Sequence, residues 1–266
     1  MRQTGPGASR AASALARATG TRHPAAGTDG DLSRRVASLW HHAFTTQPLP
    51  PLWLVLGSAA LALAAVASPR IWPAMRTVVT IVHEGGHALV ALAAGRRLAG
   101  IRLYRNTAGV TMSAGKTSGP GIVLTAAAGY PAPALLGLAT AALLAAGHVT
   151  GMLLLSLVLL AGLAIAIRNA YGILAVVVTW AAVAAVGLLA SAQVQAGFGY
   201  AMTWFLLLGG VRPVLELQTR RRHGQGQGSD ADQLARLTRL PGGVWVVVFG
   251  LVALAALAVS ARWLVR

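Results

Sequence analysis

The sequence predicts an all-α polytopic membrane protein of about seven transmembrane helices, with a candidate short β-hairpin after the second. Three observations carry this prediction. Of the 266 residues, 56% are hydrophobic and only 11% are charged, where a soluble domain carries about 25% charged residues. The mean hydropathy is +0.65, and the apolar residues lie in long runs, of the length (about 18 or more) that a bilayer span needs. Basic residues collect in the gaps between those runs. That placement also argues against nucleic acid as the partner of a chain with a net charge of +16, because positive charge beside apolar spans is what cytoplasmic loops carry. The expected partner is the lipid bilayer.

Residues 1–50 read as a disordered, basic cytoplasmic tail, rich in Ala, Gly, Arg, Thr and Ser and lacking any apolar period. No apolar stretch follows its arginines closely enough for a secretory signal. Leu32, Val36, Leu39 and Trp40 stand at helical spacing beside Arg34 and Arg35, the pattern of a short interfacial helix ended by Pro48, Pro50 and Pro51. Residues 51–266 form the membrane domain, with apolar segments near 52–68, 74–95, 120–146, 149–167, 170–190, 198–216 and 242–264. The third is interrupted by Gly129, Pro131 and Pro133; the sixth is short and carries Gly209, Gly210 and Pro213. Such irregularities are tolerated at membrane depth only where protein surrounds the backbone.

Between the second and third segments, Ile101-Arg102-Leu103-Tyr104-Arg105 alternates in polarity, and Val110-Thr111-Met112 follows an Asn106-Thr107-Ala108-Gly109 turn. Alternation around such a turn predicts a β-hairpin. Seven segments with a cytoplasmic N-terminus place 18 of the 22 Lys and Arg residues inside and 4 outside, which predicts an extracytoplasmic C-terminus in the cell membrane. Lys116 is the only lysine, a usage typical of a GC-rich bacterial genome. Cysteine is absent, so any metal must be held by His, Asp or Glu.

The chain has only six acidic residues: Asp29, Asp31, Glu84, Glu216, Asp230 and Asp232. A carboxylate inside a membrane helix costs about 2.5–3.5 kcal/mol on insertion scales, so Glu84 marks a functional position. It lies within His83-Glu84-Gly85-Gly86-His87 in the second apolar segment. On a helix, His83 and His87 project from one face, where two neutral imidazoles can bind one Zn²⁺ and leave room for a third ligand and a water. Glu84 between them is placed to act as general base toward that water. Three acids could supply the third ligand. Glu216, four residues after Arg212, has the spacing of an ion pair. Ser229-Asp230-Ala231-Asp232 reads as a helix start with Ser229 as N-cap, which suits Asp232 better as a capping residue than as a ligand.

His83-Glu84-Gly85-Gly86-His87, Ala128-Gly129-Tyr130-Pro131-Ala132-Pro133, Arg168-Asn169-Ala170-Tyr171-Gly172 and Ser229-Asp230-Ala231-Asp232 together resemble the M50B-like branch of the site-2 protease family, over about residues 74–260. The resemblance implies a zinc-dependent intramembrane endopeptidase that cleaves a single-span membrane protein, with His83 and His87 as ligands and Glu84 catalytic. Site-2 proteases take their third ligand from an Asp in an Asn-x-x-Pro…Asp-Gly segment. That segment is absent, and Asp230 in the Ser-Asp-Ala element is the best match. Asn169 has two readings, a donor to the developing oxyanion or the cap of the fifth span. The hairpin likewise has two, an edge for an extended substrate or a basic loop on anionic headgroups. The competing functional reading is a non-proteolytic relative that binds metal or a partner. A metal transporter would need more polar residues along the fourth and fifth spans than Ser156 and Thr179 provide.

Overall fold

The computed structural model describes residues 44–225 and 228–265, with Arg34 and Ala37. The candidate interfacial residues Leu32, Val36, Leu39 and Trp40, and the tail before them, lie outside the described residues. All elements below belong to one unit, Leu39–Arg266. They are α1 (Leu52–Ala67), α2 (Trp72–Ala93), β1 (Arg97–Leu103), β2 (Gly109–Ala114), α3 (Pro120–Ala127), α4 (Ala132–Ala145), α5 (Val149–Ala166), α6 (Ala170–Leu189), α7 (Ala192–Arg222), α8 (Asp230–Thr238) and α9 (Gly242–Leu264).

The protein is a mostly helical, multi-pass membrane protein. Four helices, α5, α6, α7 and α9, are each long and apolar enough to cross a bilayer, and the number rises to six if each of two bent pairs counts as one span. All seven predicted apolar segments are helical, and among the described residues they give four to six candidate spans where seven were expected. α1 and α2 meet at 102° across a short break, where Ser68 accepts backbone bonds from Arg70 and Ile71 and Pro73 falls in the first turn of α2. α3 and α4 meet at 73°, at the predicted Gly129-Tyr130-Pro131 interruption. A range of four to six candidate spans does not fix on which side either terminus lies, so the opposite-side placement expected from seven segments does not follow from these helices.

The sixth segment is longer than its sequence suggested. α7 runs unbroken for 31 residues through Gly209, Gly210 and Pro213. Of its apolar window, 56% is buried against 28% for α5, α6 and α9, so α7 is the axis of the bundle. The glycines permit this. A Cβ on Gly209 would stand 2.9 Å from Val79 of α2, and one on Gly210 would stand 3.0 Å from Ala134 of α4. Around α7 the main core gathers Val55, Trp72, Ala134, Leu144, Met152, Tyr200, Phe205, Leu207 and Ala253. The predicted Glu216–Arg212 pair forms, with Arg212 Nε 3.0 Å from Glu216 Oε1. Glu216 also receives Trp72 Nε1–H at 2.9 Å and faces Arg76 at 3.1 Å, which ties the start of α2 to α7.

The hairpin forms as an antiparallel pair, Arg102 opposite Val110 and Ile101 opposite Thr111. Its turn lies slightly earlier than the Asn/Gly pattern indicated. Tyr104 N–H donates to Ala108 O at 2.9 Å, and Thr107, not a glycine, takes the left-handed conformation at φ 63°. Asn106 supports the turn by accepting from Ala108 N–H at 3.2 Å. The outer edge of β1 is already used. Ile101 bridges in parallel to Ile167, Arg168 N–H donates to Ile101 O at 2.8 Å, and the Asn169 amide brackets Leu103, accepting from its N–H at 3.1 Å and donating to its O at 2.7 Å. Among the described residues, the outer edge of β2 carries no partner strand.

Candidate metal centre

α2 places His83, Glu84 and His87 within one turn, and its sequence explains their accessibility. Gly86 faces the α3–α4 break so closely that a Cβ would collide with Ala132 and stand 2.9 Å from Ala128 O. Gly85 needs no such room, its nearest neighbour being Leu163 at 3.5 Å. The break matters chemically as well as sterically. With the helix interrupted after Ala127, the Thr125 carbonyl keeps only a long bond from Ala128 N–H, 3.3 Å. It lies 2.7 Å from His87 Nδ1. A carbonyl can only accept, so Nδ1 bears the proton and the Nε2 lone pair is left for a ligand.

Three donor atoms converge. His83 Nε2 and His87 Nε2 are 3.2 Å apart, and each stands 3.2 Å from Asp230 Oδ2. Ligands about 2.0–2.1 Å from a tetrahedral Zn²⁺ are about 3.3 Å from one another, so the triangle has the size that zinc requires. Asp230 Oδ2 is buried and has no hydrogen-bond partner among the described residues. The three atoms lie close enough together to be donors to one ion. Burial pushes the Asp230 carboxyl up, but the two imidazoles outweigh it and hold the group well below the usual carboxylate range. With both imidazoles in the deprotonated form that binds metal, the site would offer two nitrogens and one carboxylate oxygen, a donor set that fits zinc.

Gly129 walls the centre. A Cβ there would lie 2.5 Å from His83 Nε2 and closer still to His87 Nε2, in the space a metal would fill. Gly129→Ala is therefore expected to abolish metal binding with all three ligands intact. Zinc per chain, measured by mass spectrometry on purified protein, checks this, and a full equivalent in the variant would refute it.

Glu84 is 4% exposed and is held by the hairpin. The Thr111 hydroxyl donates to its Oε2 at 2.6 Å, and Gly109 lies so near that a Cβ would meet Oε1 at 2.5 Å. Thr80 Oγ1 adds a bond to Thr107 O at 3.0 Å. A cavity of about 830 Å³ opens over the centre, lined by His83, Glu84, Asp230, Thr111, Tyr130 and the basic Arg76, Arg96 and Arg220 among others. Tyr130 stacks on Phe249 with ring centres 5.1 Å apart and sets its ring 4.9 Å from that of His83.

Of the residues singled out from sequence, the structure brings His83, His87 and Asp230 together, with Glu84 beside them on the same cavity. Asn169 stands elsewhere. It does not line the cavity, it stands at the N-cap position of α6 without a side-chain bond to that helix, and its amide is committed to Leu103. That amide positions β1. Asp232 closes the predicted helix start, its N–H donating to Ser229 Oγ at 3.4 Å, and Glu216 belongs to the arginine cluster. Thr125 carried no motif, and Gly109 and Thr111 were marked only as parts of the hairpin, not as contacts of Glu84. Only the break at Gly129 hinted that something irregular faced the second span.

Fold and site define a multi-pass membrane protein whose second helix and a later carboxylate form a triad able to hold a metal ion. Residues 56–260 match the family model described as Peptidase M50B-like, and the chain belongs to that family. Comparison with curated proteins and with solved structures gave no match.

Proposed function

We propose that the protein is a zinc-dependent intramembrane endopeptidase that cleaves a membrane-spanning protein substrate, with Glu84 as general base. One observation carries the reading: three ligand atoms at mutual distances of 3.2 Å beside a buried carboxylate that is not itself a ligand. A bound Zn²⁺ supplies Lewis acidity, polarising the scissile carbonyl and acidifying water. The rest belongs to this chain. His83, His87 and Asp230 hold the ion and neutralise one of its charges. Glu84 accepts the proton of the attacking water and returns it to the leaving amine. Thr111, bonded to Oε2, fixes the carboxylate rotamer, leaving the second oxygen for the proton.

An amide in a helix is already hydrogen-bonded, so a membrane-spanning substrate must extend before attack. The open edge of β2 suits that purpose. By the alternation of an antiparallel ladder closed at Tyr104–Ala108, the Gly109 and Thr111 backbone groups face outward, beside the carboxylate. The alternative, a non-proteolytic metal-binding relative, has no use for a general base held this way.

The test is incubation of the purified protein, in nanodiscs, with single-span proteins from its native membrane and terminal mapping of the products. The expected result is cleavage within or next to a span, stopped by a chelator and restored by zinc. Intact substrates in the presence of one bound zinc per chain would favour the non-proteolytic relative.

A further inference from the structure

Asp230 is the least secured of the three ligands by its own backbone. It is the first residue of α8, and Gly224 and Gly228 before it take left-handed conformations at φ 72° and 82°. Ala231 and Leu234 are fully buried among Val214, Leu217, Val246 and Phe249, and Trp245 Nε1–H donates to Thr238 Oγ1 at 3.2 Å at the far end of α8. Neither contact grips the carboxylate side of the first turn, where a shift would swing Asp230 off the centre.

A further contact holds that side of the turn. Asp232 Oδ1 pairs with Arg221 in the last turn of α7, while Asp232 Oδ2 receives the Ser229 hydroxyl at 3.1 Å. Arg221 is itself boxed in, because a Cβ on Gly242 at the start of α9 would stand 2.5 Å from Arg221 Nη2. The two carboxylates of Asp230-Ala231-Asp232 thus serve different partners, one the metal ligand set and the other a guanidinium trapped between α7 and α9. Neither Arg221 nor Asp232 lines the cavity.

We infer that Arg221 and Asp232 are positioning residues, a clamp that sets metal affinity by holding the start of α8 so that Asp230 stands 3.2 Å from both imidazoles. The inference rests on the metal centre proposed above. Contacts that orient ligands are typically worth 10–100-fold in metal affinity.

The experiment is zinc competition against a chromophoric chelator on the full chain in detergent, for wild type, Asp230→Asn, Arg221→Gln, Asp232→Asn, the Arg221→Gln/Asp232→Asn double variant and Arg221→Lys. Each single clamp variant is expected to raise the zinc Kd about 10–100-fold, still reaching one equivalent at saturation. The double variant should be no worse than the weaker-binding single, the mark of two groups acting as one unit, and Arg221→Lys should recover part of the loss. Wild-type Kd in both singles, or losses that add in the double, would overturn the clamp. Gly242→Ala, which displaces Arg221 without removing its charge, decides the case if a charge variant fails to fold: weakened zinc supports the clamp and unchanged zinc refutes it. Asp230→Asn keeps the two readings apart. If it binds zinc like wild type, the metal centre itself fails; if it loses zinc while the clamp variants keep theirs, only the clamp does.

Discussion

Replacing Glu84 by Gln is expected to lower the cleavage rate by about 10²–10⁴-fold, the usual contribution of a positioned general base, while zinc stays at one ion per chain. The amide matches the carboxylate in shape and can still accept the Thr111 hydroxyl, now 2.6 Å from Oε2, through its carbonyl oxygen. What it cannot do is take a proton from water. Glu84 is 4% exposed, so the variant also removes a buried charge, and thermal stability should hold or rise. Turnover, bound zinc and melting temperature of the same preparation check the three parts together. Unchanged turnover would remove the hydrolytic mechanism. Loss of zinc would instead make Glu84 a ligand and break the reading of the triad.

The second large effect is expected at Asp230. Asp230→Asn should reduce bound zinc from one ion per chain to near none, since it removes the only anion among three donors and leaves a weak neutral oxygen in its place. Glu216→Gln is expected to behave in the opposite way. Glu216 accepts from Trp72 and faces Arg76 and Arg212, so its loss should lower the melting temperature and leave zinc bound. Asp232→Asn should fill with zinc at saturation. Metal content beside melting temperature for the three variants separates ligand from scaffold. Zinc retained by Asp230→Asn and lost from either of the others would move the third ligand to that residue.

Sequence alone determined what depends on local pattern. Apolar runs set the helices of the membrane domain closely: 242–264 was read at the bounds observed for α9, and 149–167 and 170–190 differ from α5 and α6 by one residue. The spacing of His83 and His87 put both on one face, and alternation found the hairpin, because helical and strand periods are written residue by residue. The seven apolar runs did not reveal how many times the chain crosses. A run records hydrophobicity and not direction, and the turns at Ser68–Ile71 and Ala128–Pro131 are set by what each helix packs against.

The centre shows the same division. Asp230 could be named as a candidate from a short resemblance. Yet its approach to His83 depends on α8 docking, through Ala231 and Leu234, onto a pocket made by α3, α7 and α9. Asn169 looked like a cap or an oxyanion donor because asparagine serves both uses. Its actual partner, Leu103, is 66 positions away, and no local pattern encodes that separation. The site roles of Thr111, Gly109 and Thr125 were silent for a like reason. A hydroxyl, an absent side chain and a backbone carbonyl become parts of a site only when tertiary packing brings them against Glu84 and His87.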